Sequence, residues 1–357
     1  MVRYQRQIIL PEIGESGQRK LSEARVLCVG IGGLGSPCVL YLAAAGVGKI
    51  GLIDPDHVEI SNLQRQVLYT TNQKGLLKTN CAANRLSDLN PDISIETYAM
   101  AINPENALSI MTNYDIIVDA TDNFASRFLI NSAAVKLGKP LVYGAIQGFD
   151  GQASIFWAKN GPCYCCLFHE PPKSSIQNCA EAGVIGALAG IVGTTQALET
   201  IKFILSEEGS GLTPLIGQLW VIDTRSMHTS IYQIPKNESC SVCSLPSEEI
   251  LLSQDAYESC IVCNEISLEQ AFQMKDVLYI DVREVHEWLK GCIPGARNIP
   301  LSELAYKNLS IDPNRPYIVY CQTGGRSKKA AALLGKKGYS QVMSLKDGFQ
   351  AWRSFHR

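Results

Sequence analysis

Three of the cysteine spacings in this chain are C-x-x-C: Cys163/Cys166, Cys240/Cys243 and Cys260/Cys263. Each such turn brings two thiolates to one ion, and two turns complete a tetrahedral site. Spacing alone favours Cys240, Cys243, Cys260 and Cys263, because the short stretch 244–259 suits a compact zinc ribbon. Cys321 has a different setting. It follows the apolar run Tyr317–Tyr320 and opens Cys321-Gln-Thr-Gly-Gly-Arg326, ahead of a Lys/Ala-rich helix. Backbone N–H groups of such a loop converge on the sulfur, and the helix N-terminus with Arg326 favours an anion there. The ring is one residue shorter than the C-x5-R loop of cysteine phosphatases, which suits a thiolate or persulfide sulfur better than phosphate. Cys179, in the polar stretch 174–183 before a glycine-rich helix, is a second candidate nucleophile.

A different chemistry is written near the N-terminus. Gly30-Ile31-Gly32-Gly33-Leu34-Gly35 fits G-x-G-x-x-G directly after the strand RVLCVG, with Ser36 and Pro37 expected as N-cap and first helical residue. Gly32, Gly33 and Gly35 let phosphates approach the backbone, and Asp54, at the end of the next strand, is placed to bond ribose hydroxyls. Asn62, Arg65 and Lys78 follow Asp54, and Asp122 and Asn123 follow the strand IIVDAT. Guanidinium and ammonium groups neutralise phosphates, and a carboxylate at a strand end can hold Mg²⁺, so these residues favour a nucleoside triphosphate over NAD. Taken singly, each is an ordinary surface charge. The chain has no G-x-x-x-x-G-K-[ST] loop.

These groups need two scaffolds. Strands alternate with helices from Arg25 onward through KIGLID, YDIIVDATD and PLVYGAI, predicting a mostly parallel, helix-covered sheet of the α/β class. Alternation resumes with VLYIDVRE, PYIVYC, SKKAAALLGKKG and QVMSL. Between them lies a cysteine-, proline- and acid-containing stretch. The expected organisation is a Rossmann-like domain over 1–248, a linker over 249–265 and a small α/β domain over 266–357. The 357 residues carry a net charge of −2, with 46% hydrophobic and 18% charged residues. That balance excludes a nucleic-acid binder working through a basic face. Met1–Leu10 has no apolar signal core, and thirteen cysteines is an odd number, which together predict reduced thiols in the cytoplasm. The uncharged, glycine-rich stretch Ala182–Leu198 is too short for a confident membrane span and is expected as a buried helix.

RYQRQIIL, VGIGGLGSP, IDPDHVEISNLQRQ, DATDN and NCAEAGVIG together resemble the adenylating enzymes of the ubiquitin-activating superfamily, over roughly residues 1–245. The resemblance is closest to adenylyltransferases of the molybdopterin-synthase and thiamin-pathway type. It implies that ATP adenylates the C-terminal Gly-Gly carboxylate of a small ubiquitin-like sulfur-carrier protein. It further implies that Asp54 binds ribose, Asn62, Arg65 and Lys78 meet the phosphates, and Asp122 holds Mg²⁺. Arg6 would reach into the partner subunit's site, which implies a homodimer. The family's zinc ligands map onto Cys163, Cys166, Cys240 and Cys243 rather than onto the quartet that spacing favours. Cys179 matches the crossover-loop cysteine, which forms a thioester or resolves an acyl disulfide.

Residues 266–357 resemble a rhodanese domain through IDVREVHEW, CIPGARNIP and CQTGGRS. Cys321 would then carry a persulfide drawn from a donor such as a cysteine desulfurase or thiosulfate. Cys292 stands where that family commonly has histidine. Joined, the two resemblances imply a machine that adenylates a sulfur carrier and then replaces AMP with persulfide sulfur to give a thiocarboxylate. The implied pathways are molybdenum-cofactor synthesis, thiamin synthesis or tRNA thiolation. The competing enzyme reading is activation of a ubiquitin-like protein for conjugation, with Cys179 passing it on as a thioester. A nucleotide-gated scaffold without turnover and an NAD oxidoreductase are weaker alternatives.

Overall fold

The computed structural model describes residues 2–169, 183–207, 210–252, 264–274, 276–304, 312, 315–337, 339 and 341–355. The chain divides into two compact units, Met1–Tyr257 and Glu258–Arg357. In the first, an eight-stranded sheet runs in the order β3-β2-β1-β4-β5-β6-β7-β8. Its parallel part comprises β1 (Arg25–Val29), β2 (Lys49–Ile53), β3 (Ser94–Tyr98), β4 (Ile116–Asp119) and β5 (Leu141–Gln147). The antiparallel part adds β6 (Asp150–Phe156), β7 (Gln218–Asp223) and β8 (His228–Gln233).

Val26, Leu27, Cys28 and Val29 are all buried because β1 is covered on both faces, which is why it reads as an unbroken apolar run. Full burial of each such aliphatic side chain contributes about 1.5–3 kcal/mol. Strand order reverses between β1 and β4, and a crevice opens at the carboxyl ends of those strands.

The helix after the glycine loop spans Gly35–Ala45 and begins earlier than the sequence suggested. Ser36 is not the N-cap. Leu34 takes that place, Ser36 N already donates to Gly32 O at 3.0 Å, and the Ser36 side chain is buried. Pro37 still falls in the first turn, where a missing N–H costs nothing. Gly35 is required by close approach, since a Cβ there would lie 2.1 Å from Gly30 O. The expected glycine-rich helix runs Gly186–Leu205. It is long and apolar enough by composition to cross a membrane, but half of its apolar window is buried against its own unit. Gln196 at its centre donates to Asp119 O at 2.8 Å and Val142 O at 3.3 Å, pinning the helix to β4 and β5.

In the second unit, a five-stranded parallel sheet has the order β11-β10-β12-β13-β9. Its strands are β9 (Asn264–Ile266), β10 (Leu278–Asp281), β11 (Arg297–Asn298), β12 (Tyr317–Tyr320) and β13 (Val342–Leu345). Asn264 and Glu265, expected in the linker, pair with Met343 and Ser344 of β13. A three-residue strand held by a partner so distant in sequence has no local signature.

Candidate functional site

A cleft of about 590 Å³ opens where β1, β2 and β4 end, within the range of small-molecule sites. Gly32, Gly33, Asp54, Asn62, Arg65, Lys78, Asp122 and Asn123 all line it. A Cβ on Gly32 would meet only Gln66 Nε2 at 3.5 Å, so that wall stays shallow and its backbone reachable. Gly35 faces Gly30 instead of the cleft, and its role is packing.

Asp54 is 5% exposed and already organised. Its Oδ2 accepts Ile31 N at 2.8 Å, its Oδ1 accepts Asp56 N at 2.9 Å, and Lys78 Nζ stands 3.9 Å from Oδ1. Burial pushes its carboxyl up while Lys78 opposes the shift. Lys78 itself donates to Asp56 Oδ2 at 2.8 Å. A phosphate must therefore compete with Asp56 for this ammonium. Arg65 is less committed, with a 3.3 Å bond from Nη1 to Ser61 O. Asp122 is exposed at the cleft rim. Asn123 Oδ1 accepts Ser126 N at 2.9 Å and caps the helix Phe124–Leu137, so its amide nitrogen is the group left toward the cleft.

Gln66 and Arg127 are among the lining residues that escaped sequence reading. Gln66 is 4% exposed and its Oε1 has no hydrogen-bond partner among the described residues. Arg127 is buried and donates from Nη2 to Thr121 O at 2.9 Å. Adjacency to Arg65 was a usable signal for Gln66. Arg127 offered none beyond its position one turn after Asn123. Arg6 lies on the short exposed helix Gln5–Ile8 and does not line this cleft.

Away from the cleft, the structure brings Cys163, Cys166, Cys240 and Cys243 together, their sulfurs all within 4.8 Å of one another. Cys163–Cys240 is 3.6 Å, Cys166–Cys243 3.5 Å and Cys163–Cys166 4.0 Å. A tetrahedron with metal–sulfur bonds of about 2.3 Å has edges of about 3.8 Å, so these separations suit one tetrathiolate ion. Asn237 N donates to Cys166 Sγ at 3.5 Å, as an amide does to a thiolate. Burial pushes the Cys166 and Cys243 thiols up, whereas backbone N–H groups of Cys243 and Val242 draw Cys240 down against its burial. Cys165 points elsewhere and accepts Asn131 Nδ2 at 3.3 Å. Cys28, Cys38 and Cys81 are buried in the core. Cys179, Cys260 and Cys263 lie outside the described residues.

In the second unit Cys321 directly follows β12 and is 1% exposed. Its carbonyl accepts Phe349 N at 2.7 Å, and Gln322 O accepts Gln350 N at 3.2 Å. The start of the helix Gly348–Phe355 thus braces the loop, and only glycine fits at 348, where a Cβ would lie 2.3 Å from Cys321 O. The helix Gly325–Lys336 begins directly behind the loop. Arg326 does not stand free beside the sulfur: Nη1 and Nη2 donate to Glu287 Oε2 and Oε1 at 2.6 and 2.7 Å. That pairing draws the Glu287 carboxyl down to about 2.

Comparison with known proteins decides the lineage. The model of the ThiF family matches residues 4–242, and that of the rhodanese-like domain matches residues 266–355. The chain belongs to the ThiF family. Among its relatives, "Adenylyltransferase and sulfurtransferase MOCS3" of Anopheles gambiae is 38% identical over 99% of this chain and 86% of that protein. "Probable adenylyltransferase/sulfurtransferase MoeZ" of Mycobacterium tuberculosis is 38% identical over 99% of this chain and 92% of that protein. "Sulfur carrier protein adenylyltransferase" of Thermus thermophilus is 46% identical over 71% of this chain and 95% of that protein. A crystal structure of E. coli MccB with ATP matches with TM-score 0.59 and 25% identity, covering 68% of this chain and 75% of that one. As a ThiF-family member with a rhodanese-like unit, the chain thus has relatives that share its two-part organisation over nearly its whole length.

Proposed function

We propose that this chain adenylates a small ubiquitin-like sulfur carrier and then converts its C-terminal carboxylate to a thiocarboxylate. The observation that carries this reading is the convergence of Asp54, Asn62, Arg65, Lys78 and Asp122 on one cleft, in a chain that also holds the braced Cys321 loop. A carboxylate and a triphosphate repel each other. Arg65 and Lys78 would shield that charge, Asp54 would hold the ribose, and Gln66 would add a buried acceptor for a nucleotide hydroxyl or amine. Asp122, exposed at the rim, would hold Mg²⁺, which supplies charge stabilisation for departing pyrophosphate. Asn123 would position this rim by capping the helix behind it. Arg6, exposed and away from its own cleft, would serve the cleft of a second copy in a homodimer.

In the second half-reaction a persulfide on Cys321, loaded from a cysteine desulfurase or thiosulfate, attacks the acyl carbon and expels AMP. The resulting acyl disulfide is opened when a thiolate attacks the Cys321 sulfur and releases the thiocarboxylate. Cys179 would be that thiolate, leaving a Cys179–Cys321 disulfide for a cellular dithiol to reduce. Such chemistry belongs in a reducing compartment such as the cytoplasm. Mass spectrometry of a candidate Gly-Gly-ending carrier, incubated with the chain, ATP, Mg²⁺ and thiosulfate, should show exchange of one oxygen for sulfur. A carrier recovered unchanged across several such candidates, or joined to a target by an isopeptide bond, would overturn the reading.

The cysteine quartet would hold structural Zn²⁺, stapling the segment around residues 163–166 to that around 240–243. Cys240→Ser/Cys243→Ser should lose one zinc per chain and about 4 kcal/mol or more of stability, lowering Tm by roughly 10 °C. Zinc retained in a Cys163→Ser/Cys166→Ser variant, with loss in Cys260→Ser/Cys263→Ser, would move the site to the quartet that spacing favours.

A further inference from the structure

Ile31, in the glycine loop, is fully buried and held at both ends of its backbone. Its N–H donates to Asp54 Oδ2 at 2.8 Å, and its carbonyl accepts the Tyr69 hydroxyl at 2.8 Å. Tyr69 is 6% exposed and packs in the same core as Ile31 and Leu34, behind the cleft wall. It closes the segment that carries the charged side of the cleft. Gln66 N donates to Asn62 O at 2.9 Å, and Tyr69 N donates to Gln66 O at 3.2 Å. One phenol thus ties the glycine loop to the residues bearing Asn62, Arg65 and Gln66. Burial, and then the Asp54 carboxylate, push this phenol well up, which keeps it a proton donor.

The Ile31–Gly32 peptide is trans and planar, so its C=O and N–H point in opposite directions. With the carbonyl turned to Tyr69 in the core, the Gly32 N–H is turned the other way. Gly32 lines the cleft, and its N–H has no hydrogen-bond partner among the described residues. A peptide that precedes a glycine is easily flipped, since glycine takes either sign of φ at little cost. A flipped plane would present the carbonyl oxygen to an anion and leave the phenol unpaired. We propose that Tyr69 is a positioning residue of the nucleotide cleft, whose hydroxyl locks the Ile31–Gly32 peptide with the Gly32 N–H facing an entering phosphate oxygen. This deepens the reading of the cleft as an ATP site and rests on it. Tyr69 touches no reacting atom, and its effect is confined to ligands that carry phosphate.

The full chain and its Tyr69→Phe variant are titrated with ATP and with adenosine, which lacks the phosphates. Tyr69→Phe should weaken ATP binding about fivefold or more and change adenosine binding by less than about twofold. A cleft merely loosened by the substitution would weaken both ligands alike. That result would overturn the proposal, as would an ATP affinity left unchanged. In ¹⁵N-glycine spectra the Gly32 signal is assigned by its loss in Gly32→Ala. ATP should move this amide proton downfield in the unmodified chain, and less in Tyr69→Phe. Weaker ATP binding with the full Gly32 shift retained would route the effect through Arg65 and overturn the proposal too. Should Tyr69→Phe not fold, the unmodified chain decides: a Gly32 amide that ATP shifts supports the lock, and one unmoved at saturating ATP overturns it. No saturable ATP binding by the unmodified chain would instead remove the nucleotide reading itself, and the proposal with it.

Discussion

Cys321→Ser should leave carrier-dependent ATP–pyrophosphate exchange intact while reducing thiocarboxylate formation by at least ~10³-fold. Serine cannot bear a persulfide, since the reaction needs a sulfur–sulfur bond that forms and breaks by thiolate exchange. The substitution is nearly isosteric in a position only 1% exposed, and the bracing bond from Phe349 N is made to the Cys321 carbonyl, which serine retains. The loop should therefore keep its shape. Measuring ATP–pyrophosphate exchange beside thiocarboxylate yield separates the two half-reactions. Wild-type thiocarboxylate yield from the serine protein would sink the assignment of Cys321.

Arg65→Ala carries the second large effect, a loss of about 10²–10³ in carrier-dependent ATP–pyrophosphate exchange. Arg65 is the cleaner probe of the cleft. Its Nη1 makes one long bond to Ser61 O, so stability should change by no more than about 0.5 kcal/mol. Lys78 is a worse target, because its removal would leave Asp54 and Asp56 without the ammonium 3.9 and 2.8 Å away. Normal exchange in a folded Arg65→Ala protein would place the triphosphate elsewhere.

The parts of the site legible in the sequence are those with local cause. A strand, a glycine turn and a helix N-terminus lie within a dozen residues, so Gly32, Gly33 and Asp54 predict a phosphate crevice before any fold is drawn, and all three line one cleft. The Cys321 loop is equally local, since its length and its following helix determine how its N–H groups point. Even there the local reading erred by a residue at Ser36, because the turn that starts the helix is closed by Gly32 rather than by a side-chain cap. The antiparallel strands β6, β7 and β8 had no counterpart in the strand–helix alternation, and Arg127 reached the cleft only through the packing of its helix.

Residue types and spacings by themselves thus determined the two chemistries, a nucleotide crevice and a sulfur loop, because each is built from contiguous chain. Tertiary structure decided what distant segments do to one another. Spacing joined Cys260 and Cys263 to Cys240 and Cys243, the family resemblance chose Cys163 and Cys166 instead, and the fold, which carries residues 163–166 to within sulfur contact of 240–243, brings that second quartet together among the described residues. Arg326 read as a cation offered to an anion, until the parallel packing of the second unit set Glu287 against it. Spacing encodes what a loop can present. Crossovers between strands decide which charge meets it, and a ligand must compete for a charge already met by a carboxylate.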